Sequence, residues 1–268
     1  MTTDRIAFIT GATGGIGQAA AAHFHDSGYR LWLCGRDETI LGELAARYPT
    51  ARISKSDLAD PHSLEALCAE VAASSERISV GLVNAGIVKP GHAVDLERAE
   101  ICRHLDINLR AATHLSQALA QHMKQHGDGH IIGTQSAASF VALPGSAAYT
   151  ASKFGIRGYY LSLAEELRAH GIAVTSIYPN AIDTPMLRYE AANGGSALNF
   201  LSTPSTTDDV VAALKRAQKG KKLEYFVPRS DVVTARLLTA FPGLMRLLYP
   251  TLNRMGEKGR QKFLKQIE

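Results

Sequence analysis

A chain of 268 residues, 46% of them hydrophobic, is long enough to bury one large α/β core. Three cysteines (Cys34, Cys68 and Cys102) with no Cys-x-x-Cys exclude a disulfide scaffold and suit a reducing cytoplasm. The net charge of +4 comes without basic clusters interleaved with aromatics, so nucleic acid is not an expected partner.

The amino terminus enters a short apolar run at once, so no leader peptide is expected, and no run of 18 apolar residues offers a membrane span. Strands are predicted at Ile6–Thr10, Leu31–Cys34, Arg52–Ser54, Val80–Asn84, His130–Gly133, Ala173–Tyr178 and Leu223–Val227. Between them lie apolar-periodic stretches, among them Gln18–Ser27, His62–Ser74, Ala99–Gln125 and Ala151–His170, which read as helices. Continuous apolar strands alternating with helices imply an α/β fold, a doubly wound, seven-stranded parallel sheet with helices on both faces. Residues 1–228 are expected to form this one domain, with 229–268 as an apolar and basic helical extension of it.

The first strand runs into Thr10-Gly11-Ala12-Thr13-Gly14-Gly15-Ile16-Gly17, and a helical pattern follows. Glycines here let the backbone approach a pyrophosphate, whose charge is met by amides at the helix amino terminus. The spacing T-G-x-x-x-G-x-G, through Gly11, Gly15 and Gly17, resembles that of the short-chain dehydrogenase/reductase family, whose Rossmann-type fold the chain follows to about residue 228. A nicotinamide dinucleotide is the cofactor this resemblance implies, with Thr13, Gly14 and Ile16 also in contact with it.

After the second strand comes Leu33-Cys34-Gly35-Arg36. Gly35 stands where the family's NAD enzymes carry an acid, and Arg36 can clamp a 2′-phosphate, so NADP(H) is expected rather than NAD(H). The competing reading makes Arg36 a solvated residue with Asp37 as a helix cap. Ser56-Asp57-Leu58 resembles the family's adenine-contacting turn, and Asn84-Ala85-Gly86 its cofactor-backing motif.

Tyr149 and Lys153 stand four residues apart, so on a helix they share a face. A nearby cation favours phenolate, which makes the pair a general acid/base for carbonyl–alcohol chemistry. Ser136, Tyr149 and Lys153 match the family's catalytic serine, tyrosine and lysine, and Asn108 its fourth member. The resemblance implies that Tyr149 moves the proton and Ser136 stabilises the substrate oxygen. Lys153 would hold the nicotinamide ribose and lower the Tyr149 pKa, while Asn108 props a water in a proton relay. No metal is needed, and His122, His126 and His130 are not expected to form a site, because Gly127-Asp128-Gly129 interrupts them.

After the sixth strand the family's Pro-Gly-x-Val-x-Thr is replaced by Pro179-Asn180-Ala181-Ile182-Asp183-Thr184. Pro179, Ile182 and Thr184 keep cofactor-contacting positions, whereas Asn180 either tolerates a left-handed backbone or turns its side chain into the substrate pocket. The stretch 186–205 has the composition of a mobile lid over a mainly apolar pocket, which suggests a lipophilic ketone or alcohol (3-oxoacyl, keto-sphingoid or steroid-like).

From Asp231 to Glu268 there are seven Lys/Arg against three Asp/Glu, with Pro242 and Pro250 expected to break the segment into short pieces. It can pack on its own domain, join a subunit interface in a homodimer or homotetramer, or touch an anionic membrane surface from the cytoplasm. The function expected is therefore that of a carbonyl reductase. Two alternatives share its motifs: a non-catalytic NADP(H)-sensing protein, and an epimerase or dehydratase, although the latter's relatives are usually longer.

Overall fold

A computed structural model describes residues 5–267; residues 1–4, where no leader is expected, and Glu268 lie outside it. Seven strands, β1 (Ile6–Thr10), β2 (Arg30–Gly35), β3 (Arg52–Lys55), β4 (Ile78–Val83), β5 (Gly129–Thr134), β6 (Ile172–Pro179) and β7 (Glu224–Val227), form one sheet in the order β3-β2-β1-β4-β5-β6-β7. Every pairing is parallel. All five residues of β1 are buried, as a strand covered on both faces requires. Alternate side chains go to opposite faces, so Phe8 packs with Trp32, Leu115 and Tyr160, whereas Ile9 packs with Phe24, Leu33 and Leu214.

Helices α1 (Gly15–Asp26), α2 (Glu38–Arg47), α3 (Pro61–Ala72), α4 (Arg98–Leu105), α5 (Ala112–His126), α6 (Ala147–Arg168) and α8 (Thr207–Gly220) supply the crossovers. α7 (Pro185–Ala192) lies in the β6–α8 connection, and α9 (Asp231–Ala240) and α10 (Pro242–Ile267) follow β7. The helix expected over Ala99–Gln125 is divided by a π-helical turn at Asp106–Ala111. Such a turn adds a residue to the helical cycle and re-aims a side chain, a device common at functional sites. Here it carries Asn108.

The tail departs from the sequence reading. Pro250 does not break it but lies inside the 26-residue α10. A proline in a helix interior removes a main-chain hydrogen bond and costs about 3 kcal/mol. The compensation is tertiary: Phe263, Leu264 and Ile267 join Ala181, Leu187, Ala191 and Phe200 in a buried cluster. Because α10 folds back in this way, 186–205 is not a free lid but α7 and a 3₁₀ turn, Ala197–Phe200, packed beneath the tail helix.

The three histidines have separate duties. His122 Nε2 accepts from the Ile78 N–H at 3.0 Å, and His130 Nε2 pairs with the Thr175 hydroxyl at 2.8 Å. The His126 ring packs against that of His122, with centroids 4.6 Å apart. No helix among the described residues is long and apolar enough to cross a membrane.

Candidate active site

The strand order reverses between β1 and β4, and a cavity of about 850 Å³ opens at the carboxyl ends of the strands there. At one end is the glycine turn. Gly11 has φ +64°, and a Cβ on it would stand 2.8 Å from the Ala85 Cα. A Cβ on Gly17 would fall far inside contact distance of the Gly11 carbonyl oxygen. These positions therefore admit only glycine, and the turn they form leads directly into α1. Gln18 braces the turn, its Nε2 donating to the Thr13 carbonyl at 3.0 Å.

Asn84, Ala85 and Gly86 back this turn from β4. The Asn84 amide donates to the carbonyls of Thr10 and Gly11, and the backbone N–H groups of Asn84 and Ala85 both donate to the buried Thr10 hydroxyl. Thr10 was a neighbour of the motif with no role in the sequence reading. It proves to be the post that joins β1 to β4.

Gly11, Thr13, Gly14, Gly15, Ile16, Gly35, Arg36, Asp57 and Leu58 all line the cavity. Gly17 does not, and acts from behind by letting α1 close on Gly11. A side chain at position 35 would meet Thr13 Cγ2 at 2.7 Å, so the turn leaves little room for an acid there. Asp37 caps α2 by accepting from the Ile40 N–H at 3.0 Å, which commits its carboxylate to the helix. Arg36 is exposed at the cavity wall, in none of the ion pairs among the described residues.

The reactive side chains come from β5 and α6. Ser136 Oγ accepts from the Ala138 N–H at 3.1 Å, which leaves the hydroxyl proton free to donate. Tyr149 and Lys153 face the cavity from the first two turns of α6, with Lys153 Nζ 5.6 Å from the phenol ring centroid. Lys153 also donates to the Thr134 carbonyl at 3.3 Å. Burial pushes its pKa down to about 8.

Burial likewise drives the Tyr149 phenol well above its ordinary value, opposed by its hydrogen bond with Ser136 and reinforced by the charge of Glu190. Lys153 was expected to pull the phenol down, but burial sets the direction in the folded chain. A phenol held up in this way stays protonated at neutral pH, the form that reduction consumes.

Asn108 stands behind this group. Its Oδ1 accepts from the Ile87 N–H at 2.8 Å, and its Nδ2 donates to the Ile87 carbonyl at 2.9 Å and to Ser152 Oγ at 3.2 Å. It thus ties the β4 loop to α6. A Cβ on Gly86 would lie 3.3 Å from Asn108 Oδ1 and 3.8 Å from Lys153 Nζ, so that glycine keeps the two side chains adjacent.

Pro179, Ile182 and Thr184 line the cavity past β6 as expected. Asn180 does not adopt a left-handed backbone: Lys221 is the one non-glycine residue with positive φ among those described. Its N–H instead donates to the Val227 carbonyl at 2.8 Å, continuing the β6–β7 ladder, and its amide donates to Asp231 Oδ2 at 3.1 Å. The side chain forms part of the cavity wall.

The far half of the cavity is apolar. Val141, Leu143, Met186, Leu187, Leu198 and Leu201 form its sides, and Leu238, Met245 and Leu252 of α9 and α10 form its roof. Helical spacing makes the roof residues amphipathic in sequence, but nothing in sequence shows which surface they cover.

The sheet, its reversal and the glycine cradle define a Rossmann-type dinucleotide-binding protein. Comparison with known proteins makes this specific. The short chain dehydrogenase family profile matches residues 5–194. Dehydrogenase/reductase SDR family member 7B of Bos taurus is 31% identical over 265 residues, covering 92% of this chain and 78% of its own. A 3alpha-hydroxysteroid dehydrogenase of Mediterraneibacter gnavus is 33% identical over 193 residues, 70% of this chain and 77% of its own. Among solved structures, a short-chain dehydrogenase from Sphingobium yanoikuyae in complex with NADPH superposes with a TM-score of 0.79 at 28% identity, covering 90% of this chain and 95% of that one. The chain belongs to the short-chain dehydrogenase/reductase family and is an oxidoreductase.

Proposed function

We propose that the protein is an NADP(H)-dependent carbonyl reductase whose substrate is a lipophilic ketone. The observation that carries this reading is the continuity of one cavity from the Gly35–Arg36 corner, past Ser136, Tyr149 and Lys153, to the apolar roof. The Sphingobium yanoikuyae relative's NADPH and the Mediterraneibacter gnavus relative's hydroxysteroid name agree with its two ends. Gly11, Gly14 and Gly15 of the cradle, Asn84, Ala85 and Gly86 after β4, and Pro179, Ile182 and Thr184 after β6 would hold the dinucleotide.

A bound nicotinamide supplies the hydride that reduces the carbonyl carbon or takes it back. In reduction, Tyr149 gives its phenol proton to the substrate oxygen, and Ser136 donates a hydrogen bond to the same oxygen as negative charge develops. The Lys153 ammonium then offsets the charge left on the phenolate. Asn108 positions Lys153 by fixing the β4 loop against α6. We read residues 229–268 as part of the same domain, because the cavity has no roof without them.

The cofactor reading is tested by fluorescence titration with NADPH and, separately, NADH. Arg36→Ala is expected to weaken NADPH by roughly ten- to a hundredfold, the worth of hydrogen bonds from a charged group. NADH affinity should hardly move. Equal NADPH affinity in the variant would make Arg36 a surface residue.

Helices α9 and α10 and the residue between them leave Val233, Leu237, Phe241, Leu247 and Met255 exposed, with Phe241 at 62% and Leu247 at 77%. Arg236, Arg246 and Arg254 stand among them. We propose that this basic, apolar face rests on an anionic membrane surface, which would set the roof of the cavity beside the lipid. The protein should sediment with phosphatidylserine-containing vesicles but not with phosphatidylcholine alone, and Arg246→Glu with Arg254→Glu should release it. Indifference to lipid charge would remove the proposal. Exposed Leu105, Phe154 and Leu161 on α4 and α6 support a homodimer or homotetramer.

A further inference from the structure

One carboxyl in the apolar half of the cavity is not used by the chemistry above. Glu190, on the last turn of α7, is 8% exposed and lies in the cavity wall with Met186, Leu187 and Leu198. Asn199 Nδ2 donates to its Oε2 at 3.0 Å. No Lys or Arg pairs with it among the described residues, and its Oε1 has no protein partner there. It is near enough to the reaction centre for its charge to raise the Tyr149 phenol.

A carboxyl is costly to bury beside a single neutral amide, so its retention in an apolar wall calls for a reason. Closing the turn is not that reason. The main chain does so already, with the N–H groups of Asn193 and Gly195 donating to the Glu190 carbonyl at 3.3 and 2.7 Å. A Cβ on Gly195 would stand 2.7 Å from the Glu190 Cβ, so the turn packs closely on this residue only because position 195 is glycine. Asn199 fixes one oxygen and leaves the other, on a residue that lines the cavity, without a protein partner among the described residues. With burial as its cause, the Glu190 pKa is pushed up to about 7, so the carboxyl can serve either as an anion or as a neutral acceptor at physiological pH.

We propose that Glu190, oriented by Asn199, is a substrate subsite that accepts a hydrogen bond from a hydroxyl or ammonium group carried by the substrate apart from its carbonyl. The inference rests on the reductase reading and narrows it: the substrate is lipophilic but not a plain hydrocarbon ketone. A site built around a buried acceptor discriminates against an analogue lacking the donor, because the acceptor is then left desolvated and unpaired.

The test uses matched pairs of bulky ketones, alike except for a remote hydroxyl or primary amine, with the purified full-length protein and NADPH. The donor-bearing member should have the higher kcat/KM, on the order of tenfold. Glu190→Leu should bring that ratio close to one. Glu190→Gln, which keeps an acceptor and the shape, should retain much of the hydroxyl preference and lose the ammonium preference. Both ketones reduced at ratios equal in wild type and Glu190→Leu would overturn the subsite and leave the reductase reading intact. If no ketone is reduced, the reductase reading fails instead. Calorimetric titration of the corresponding alcohols onto the NADP-loaded protein then still reads whether Glu190 distinguishes the pairs, and no distinction overturns the subsite.

Discussion

Tyr149→Phe is expected to lower ketone reduction by about 10²- to 10⁴-fold while leaving NADPH affinity within a few-fold of wild type. The substitution removes one oxygen and keeps the ring that lines the cavity, so the contacts that seat the helix persist. The folded state loses only the phenol's hydrogen bond with Ser136, which should cost little stability. What is lost is the group that hands a proton to the substrate oxygen. That loss appears in the barrier and therefore in kcat. Burial holds the phenol protonated at neutral pH, the form that reduction consumes, so the deficit should be full throughout the neutral range. A dinucleotide sensor on the same fold makes a different prediction: no ketone turnover in wild type, and nucleotide binding indifferent to position 149. Single-turnover kinetics with a bulky ketone separate the two, and undiminished turnover in the variant would falsify the acid/base assignment.

How far the molecule could be read from its sequence depends on whether the signal was local. The strands are continuous apolar runs because both sheet faces are buried, and burial of that kind is written along the strand itself. The glycine turn was equally legible, since its backbone tolerates no Cβ at Gly11 or Gly17 whatever surrounds it. Helical spacing put Tyr149 and Lys153 on one face, and the family resemblance of Ser136 and Asn108 in order with them gave the pair its role.

Of the two conformations open to Asn180, sequence could not choose, because the choice is made by a partner far away, the Val227 carbonyl, which draws it into the ladder and leaves its side chain in the cavity wall. The direction of the Tyr149 pKa was hidden for a similar reason: proximity of Lys153 is visible in sequence, but the burial that raises the phenol is not. Glu190 and Asn199 lay within the stretch taken for a lid, and two polar residues in a polar loop attract no notice. They matter only because α10 covers that stretch, and the proline at 250 argued against such a helix.

That cover is the origin of the second large effect. Gly256 and Gly259 of α10 sit against the 3₁₀ turn so closely that a Cβ on them would fall far inside contact distance of the Ala197 and Phe200 carbonyl oxygens. Two glycines one helical turn apart thus let the helix backbone lie on the turn backbone, and Phe263 then closes on Phe200 with ring centroids 5.4 Å apart. Replacing both glycines by alanine sets two effects against each other. Alanine favours an isolated helix by about 1 kcal/mol per site over glycine. Overpacking costs roughly 1–3 kcal/mol per site, and here the obstructing atoms are main-chain oxygens that no rotamer change can move. The clash should prevail, and α10 should lift from the substrate loop.

The consequence is selective, because the roof residues Met245 and Leu252 move with that helix while the glycine cradle stands at the opposite end of the cavity. Gly256→Ala with Gly259→Ala should therefore raise KM for a bulky ketone by tenfold or more, a change of about 1.4 kcal/mol. The melting temperature should fall by several degrees, as a loss of one to two kcal/mol implies for a domain of this size. The dissociation constant for NADPH should stay near that of wild type. A variant with unchanged KM and unchanged melting would mean that the tail helix does not bear on the substrate site, and the roof would have to be sought in another part of the chain.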